Sequence, residues 1–400
     1  MRDDRTWLSI YAPLSPGVYL RRAARRLPFP LDQPGCRIFA QARQGLWHAL
    51  RAAGLREGDE VLAPAYHHGC EIETLVRAGL TCRFYDVGAT IAPCERDLDD
   101  LLGPRSRALH LIHYLGFPQD ASRWRRWCDE RGLLLIEDGA QAWLSADDGS
   151  PVGAHGDIAI FCLYKTIGIP DGGAVLADPP VPAPTAAQCL GLRRLVRRHR
   201  DWVAQRLPAL ARMRPELEHA HEVEERPEKE FALTRMDEPA LVATRVLLSH
   251  AVEDAAPARR RANSARLAAA LGHLRSPVFP PLTSTASPLA FPIEVDRKPA
   301  VLARLAEQGI IDGKLWCVPH PTLDVAAYPG ARKLRTRLIG LPVHQELRPR
   351  DVMRIIDAAR RAVAFAGVGR PALAEPRSSE AEGPPRASTA SSTNRSDASR

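Results

Sequence analysis

Residues 133–143 read LLLIEDGAQAW, and residues 156–174 read GDIAIFCLYKTIGIPDGGA. Leu133 to Ile136 is an apolar run without polar alternation, which suits a strand covered on both faces, as in the parallel sheet of an α/β protein. The run stops at Glu137 and Asp138. A second apolar run, Ile158 to Leu163, ends at Tyr164 and Lys165, and after a Gly172-Gly173 turn Ala174 to Ala177 predicts a third strand. Open parallel sheets gather their chemistry at the carboxyl ends of the strands. A carboxylate (Asp138) and an amine (Lys165) are expected at two such ends, with an amide, Gln141, three residues beyond the acid.

That trio suits pyridoxal phosphate (PLP). This cofactor needs a lysine to form an imine with its aldehyde, and a carboxylate that keeps its ring nitrogen protonated so the ring can accept carbanion charge. Lys165 fits the first role and Asp138 the second, and Gln141 can donate to the ring hydroxyl. Lys165 is also the only lysine before Lys229. A long amine in apolar surroundings is costly unless it has a task.

The segment resembles the DegT/StrS-type family of PLP-dependent sugar aminotransferases of fold type I. The resemblance is carried by Glu137-Asp138-Gly139-Ala140-Gln141-Ala142, Val152-Gly153-Ala154-His155-Gly156-Asp157, Phe161-Cys162-Leu163, Lys165 and Asp171-Gly172-Gly173. It extends over roughly residues 36 to 366, through the Glu57 to Pro64 strand, His113-Tyr114-Leu115-Gly116, Thr234 to Asp237 and the closing Leu341-Pro342 strand. The implied fold is α/β, a large mainly parallel sheet domain with a smaller C-terminal α+β domain. The expected divisions are an N-terminal arm at 1–35, a PLP-binding domain at 36–235, a long helix with the small domain at 236–369, and a disordered tail at 370–400.

The resemblance also implies roles. His68 falls where an aromatic ring stacks on the pyridine. Gln41, Ala42 and Arg43 stand where Ser-Gly-Thr holds the cofactor phosphate at a helix N-terminus, a place suited to anions by its dipole and free amides. Arg43 either replaces the hydroxyl contact with a charged one or points to solvent. Cys162 replaces a serine, and Leu233 replaces an asparagine that reaches the phosphate across a dimer. His320 and Tyr328 lie in a stretch like the family's substrate-facing loop. The implied partner is a second copy of the chain, a homodimer with shared active sites.

The remaining sequence narrows the alternatives. Net charge is +8 and the apolar fraction 45%, ordinary for a globular protein. Eight cysteines without a CxxC pair suggest neither a disulfide framework nor a zinc site, so no metal is expected. The first residues, MRDDRTWLSIYAPL, lack an apolar signal core and no run reaches membrane-span length, so a cytoplasmic setting is expected. Arg21 to Arg26 suggests a solvated surface helix or an arm over a partner, the former favoured. Leu192 to Arg200 holds five arginines, but without interleaved aromatics or a binding motif it does not indicate nucleic acid. His219 to Glu228 reads as a solvated charged segment rather than a metal site. The implied reaction is transamination from glutamate or glutamine to a keto group, most plausibly on a nucleotide-linked sugar. A PLP-binding protein of the same fold without that activity, and another PLP reaction on a sugar, are the alternatives.

Overall fold

The computed structural model describes residues 6–207 and 231–368. The chain opens with β1 (Leu8–Ser9) and a 3-10 turn at Pro16–Leu20, then β2 (Arg37–Phe39) and α1 (Ala42–Ala52). Alternating units follow: β3 (Glu60–Pro64), α2 (Cys70–Arg77), β4 (Thr81–Tyr85), α3 (Glu95–Leu101), β5 (Ser106–Ile112), α4 (Ala121–Asp129) and β6 (Leu134–Asp138). A hairpin of β7 (Ala146–Asp147) and β8 (Ser150–Pro151) leads to β9 (Ile158–Cys162), α5 (Leu163–Ile167), β10 (Gly173–Ala177) and α6 (Leu192–Ala204). The second half contains α7 (Val242–Ala251), α8 (Ala256–Leu271), β11 (Ala290–Glu294), α9 (Lys298–Glu307), β12 (Ile310–Ile311), α10 (Pro329–Arg337), β13 (Leu338–Pro342) and α11 (Pro349–Val368).

Seven strands form one sheet in the order β2-β10-β9-β6-β5-β3-β4. The five strands from β9 to β4 are parallel. β10 runs antiparallel to both of its neighbours. Strands β3 and β9 are buried along their whole length, as expected for a sheet covered on both faces. The chain places β4 on one side of β3 and β5 on the other, so the winding reverses there and a crevice opens beyond the carboxyl ends. The α/β class and the mainly parallel sheet are as the sequence implied.

A second core lies around the antiparallel pair β11–β13, with Phe291, Ile293, Ile339 and Leu341 packed against Leu267, Val301 and Ile355 of α8, α9 and α11. Leu8 belongs to this core, because β1 pairs in parallel with β12.

Several expectations need correction. The segment Arg21 to Arg26 forms no helix. The chain before it is inserted instead: Leu8, Ile10, Leu14 and Val18 are all buried, because each of these apolar residues joins one of the protein's hydrophobic cores. Helix α1 begins at Ala42 and not at Phe39, since Phe39 pairs with Gly173 at the end of β2. The stretch expected to be helical to about Leu271, with breaks at Pro239 and Pro257, forms α7 and α8, and Pro257 stands in the first turn of α8. The charged segment 219–228 and the tail 370–400 lie outside the described residues. Among the described residues no helix is long and apolar enough to cross a membrane.

Candidate functional site

β6 brings two neighbouring acids to the carboxyl edge, and strand alternation sends them to opposite faces. Glu137 is fully buried and accepts from His113 Nε2 at 3.0 Å and from the amides of Gly153 and His155 at 2.9 and 2.8 Å. Since the Gln119 amide donates to His113 Nδ1, the ring proton sits on Nε2 and points at Glu137. Burial pushes the Glu137 carboxyl up, but His113 and the two amides outweigh it and hold it below the usual range. Glu137 therefore anchors the loop behind the sheet.

Asp138 faces the crevice. One of its oxygens accepts from the Ala140 amide at 2.8 Å, and the other lies 3.6 Å from Nε2 of the fully buried His110. Burial raises its carboxyl, but His110, the Ala140 amide and the Lys165 charge together pull it below the ordinary carboxylate range. It is a buried acid that remains ionised.

Asp138 is paired in register with Ile160 of β9. Past β9 the chain turns at once into α5, so Tyr164 and Lys165 lie on a helical turn rather than a strand end. Burial works against the Lys165 ammonium, but the acidic groups of Cys162, Tyr164, Tyr11 and Cys70 outweigh it and hold the amine above the ordinary lysine range. The backbone of this turn is held from the second core. Arg260 of α8 donates to the Thr166 carbonyl at 2.7 Å, and Gln345 donates to the same oxygen at 3.1 Å.

The Gly172-Gly173 turn serves close approach. A Cβ on Gly173 would lie 1.9 Å from the Ala42 nitrogen, so only glycine lets β10 meet the N-terminus of α1. Gln44 Oε1 accepts from the Gln41 amide at 2.8 Å, and Arg43 Nε donates to Gln41 Oε1 at 2.7 Å. Arg43 is half-buried, and its charge acts on His68, Cys70 and Cys162. Cys162 is buried, and burial raises its thiol.

Gln141 is buried and its Oε1 accepts from the Leu115 amide at 2.9 Å, which leaves its NH2 as the end able to serve a ligand. His68 follows β3 and lies edge-on to Phe231 and Trp316 at 6.1 and 6.5 Å. Burial pushes its ring down to about 4, and Asp138 and Lys165 act on it from nearby. The structure thus brings Lys165, Asp138, His68, Arg43 and Cys162 into one electrostatic neighbourhood. Among the described residues, His68, Cys70 and Glu71 hold metal-ligating atoms within 4.8 Å of one another. Both Glu71 oxygens are taken by the amides of His68 and Gly69, so we assign that cluster to capping of α2.

His320 and Tyr328 pack on α2 and β4, and His320 shares the Phe231 ring with His68. His320 is buried, bonded to Glu73 of α2 at 3.0 Å and to Thr322 at 2.9 Å, and its ring meets Phe231 at 5.5 Å. Tyr328 packs on Phe84 of β4 at 6.2 Å. β4 is four strand positions from β9, roughly 19 Å at about 4.8 Å per strand.

Sequence reasoning missed His110, Phe231, Trp316, Arg260 and Gln345. His110 had a signal, a lone polar residue within Ala108 to Ile112, in a strand otherwise apolar along its buried length. The others come from distant parts of the chain and had none.

Comparison with known proteins matches residues 36–360 to the DegT/DnrJ/EryC1/StrS aminotransferase family. GDP-perosamine synthase of Vibrio cholerae is 29% identical over 181 residues, 44% of this chain and 48% of that protein, so the match spans about half of that relative's length. The dTDP-3-amino-3,4,6-trideoxy-alpha-D-glucose transaminase of Streptomyces venezuelae is 28% identical over 337 residues, 78% of each chain. Among solved structures, the aminotransferase TlmJ from Streptoalloteichus hindustanus has a TM-score of 0.60 at 24% identity, covering 83% of this chain and 87% of that one, which shows a shared fold.

Proposed function

Since the chain belongs to the DegT/DnrJ/EryC1/StrS aminotransferase family, we propose that it is a PLP-dependent transaminase acting on a keto group of a nucleotide-linked sugar, with glutamate or glutamine as donor. The carrying observation is a buried acid, Asp138, at the end of β6 and an amine, Lys165, on the helical turn that follows the adjacent parallel strand β9.

The donor set suits PLP. Lys165 would bind its aldehyde carbon, Asp138 its ring nitrogen, and Gln141 NH2 its ring hydroxyl, with His68 against the ring face. The N-terminus of α1 at Ala42 and Arg43 would take the phosphate, with Cys162 beside it. When bound, the cofactor supplies an aldehyde that accepts the donor's amine and a ring that spreads the charge left on the donor's α-carbon. Asp138, ionised and backed by His110, holds a proton on the ring nitrogen and so favours that charge. Lys165 would serve as general base for the proton on the donor's α-carbon and then as general acid toward the carbon that had been the cofactor's aldehyde. Arg260 and Gln345 fix the Thr166 carbonyl and so orient the turn that carries this amine. Leu233 stands where the family's cross-dimer asparagine would be, so a homodimer of this chain would rely on Arg43 for that phosphate contact.

The test is spectroscopic. Purified protein should carry the visible absorbance of lysine-bound PLP, lose it on adding glutamate and regain it with a keto acid. Lys165→Ala should lack that absorbance and turn over at least about 10⁴-fold more slowly. An unchanged spectrum in Lys165→Ala would overturn the assignment. Wild-type absorbance that no amino donor alters would favour a PLP-binding protein without transaminase activity, the second reading that the substituted phosphate residues Gln41, Ala42, Arg43, Cys162 and Leu233 motivate.

A further inference from the structure

Lys298 opens α9 and is buried, with only 2% of the residue exposed. Its nitrogen donates to the Leu315 and Arg335 carbonyls at 2.8 and 2.9 Å and is hydrogen-bonded to the Cys317 sulfur. Cys317 Sγ lies 3.7 Å from the same Leu315 carbonyl, so amine and sulfur meet on one oxygen. Carbonyls and a thiol offset little of the cost of burying an ammonium. Burial, with the nearby Lys314 and Arg335 charges, pushes the amine below the ordinary lysine range, although Cys317 pulls the other way. A larger share of this amine is therefore a neutral nucleophile than at a surface lysine.

The surroundings of the sulfur favour its oxidation. Cys317 is half-buried and so within reach of a small oxidant. Lys298 bonds the sulfur itself, and Arg335 Nη1 holds the chain on either side of it, donating to the Trp316 carbonyl at 2.9 Å and the Val318 carbonyl at 3.1 Å. Cations beside a half-exposed thiol are the setting in which cysteines react. Elsewhere burial pushes the Cys36, Cys82 and Cys128 thiols up to about 12 and raises those of Cys70 and Cys162, which blunts them toward peroxide. Trp316, the residue before Cys317, has its ring 5.0 Å from Tyr66, 5.5 Å from Tyr114 and 6.5 Å from His68. A change at Cys317 is therefore transmitted to the wall beside His68.

We propose that Cys317 and Lys298 form a sulfur–nitrogen bridge when the protein meets hydrogen peroxide, a thiol-reversible modification that fastens the Trp316 loop to α9. In the first step the thiol attacks peroxide. The O–O bond breaks, an S–O bond forms, one water leaves, and two electrons pass from sulfur to peroxide, giving a sulfenic acid. In the second step the neutral Lys298 nitrogen, its ammonium having lost a proton to solvent, attacks that sulfur. An N–S bond forms, the S–O bond breaks, and hydroxide leaves with a proton from nitrogen as a second water. An external thiol reverses the bridge by attacking its sulfur, which returns the amine and leaves a disulfide that a second thiol opens. This chemistry is independent of the transaminase reading.

The experiment treats the full chain with hydrogen peroxide, blocks the remaining thiols by alkylation, and reads intact mass and digested peptides. The treated protein should be lighter by two hydrogen atoms before alkylation, with one linked peptide pair that carries Lys298 and Cys317. Dithiothreitol should restore both peptides. Cys317→Ser and Lys298→Arg should abolish the pair, whereas Cys94→Ser and Cys189→Ser, which remove exposed thiols, should leave it. Amide exchange around Trp316 should slow about tenfold in the bridged protein and stay unchanged in treated Cys317→Ser. If Lys298→Arg does not fold, Cys317→Ser and the peptide map of wild type carry the test. The proposal is overturned if Cys317 gains oxygen while Lys298 stays free, or if Cys94 and Cys189 oxidise and Cys317 does not. It is equally overturned if the link resists dithiothreitol, if folded Lys298→Arg still loses the two hydrogens, or if exchange around Trp316 is the same with and without the bridge.

Discussion

The two ends of the crevice differ. At the β6–β9 end the acid, the amide and the amine keep the family's order, with Cys162 in place of a serine, and the acids there are satisfied: Glu137 by a histidine and two amides, Asp138 by the Ala140 amide with His110 close behind. At the α1–α6 end the pattern is replaced, with Gln41, Ala42 and Arg43 at the helix N-terminus and a row of arginines opposite. The contrast teaches that the two ends carry different constraints. A ring nitrogen and an aldehyde need one acid and one amine at fixed separation, which leaves little choice of residue type. A phosphate only needs positive potential and donors, which amides, hydroxyls or guanidinium groups can all supply.

The contact between the two ends is the place to strain this picture most. Gly173→Ala forces a methyl group into the Ala42 backbone, which has no flexible end to move aside. A loss of about 3 kcal/mol in stability, with weakened PLP retention, is expected from denaturant melts and absorbance. Unchanged melting would mean that β10 and α1 do not meet closely, and the two ends would not be coupled.

Arg43→Ala addresses the replaced end alone. PLP affinity should fall about tenfold in equilibrium dialysis, while the absorbance maximum of the loaded protein, which reports the Asp138 end, stays put. If affinity does not move, Arg43 is not the substitute for the missing hydroxyl.

The smallest effect concerns the retained end and depends on pH. The Glu137 carboxyl is held below its ordinary value of 4.5. Its ionised contacts therefore stabilise the fold fully above about pH 4.5, and that contribution fades as pH falls through the lower folded-state value. Glu137→Gln should cost about 1–2 kcal/mol at pH 7, and the gap from wild type should narrow below about pH 4.5. A gap that is constant with pH would remove the charge from the account of this anchor.

Much of the sheet was legible because its strands are buried on both faces and read as unbroken apolar runs. The chemistry at β6 and β9 was legible because its residues are neighbours of those runs. His68 was located from alignment alone, and the structure puts it in the electrostatic neighbourhood of Asp138 and Lys165. The N-terminal segment was misread because its apolar residues, spaced without helical or strand period, gain their burial from hydrophobic cores that the local pattern cannot display. Arg260 was invisible for a related reason: its acceptors are carbonyls and an amide contributed by Thr166, Pro288 and Gln345.

The sequence by itself determined the strand–helix alternation, the acid, the amide and the amine, because each depends on residue type and short spacing. Tertiary structure alone decided what holds the two acids, His110 beside Asp138 and His113 with two loop amides on Glu137, since those partners come from other strands and loops. It alone brought α6 and the first residues of the chain to one wall beside Lys165, because that proximity is made by long-range packing and not by any local preference of the backbone.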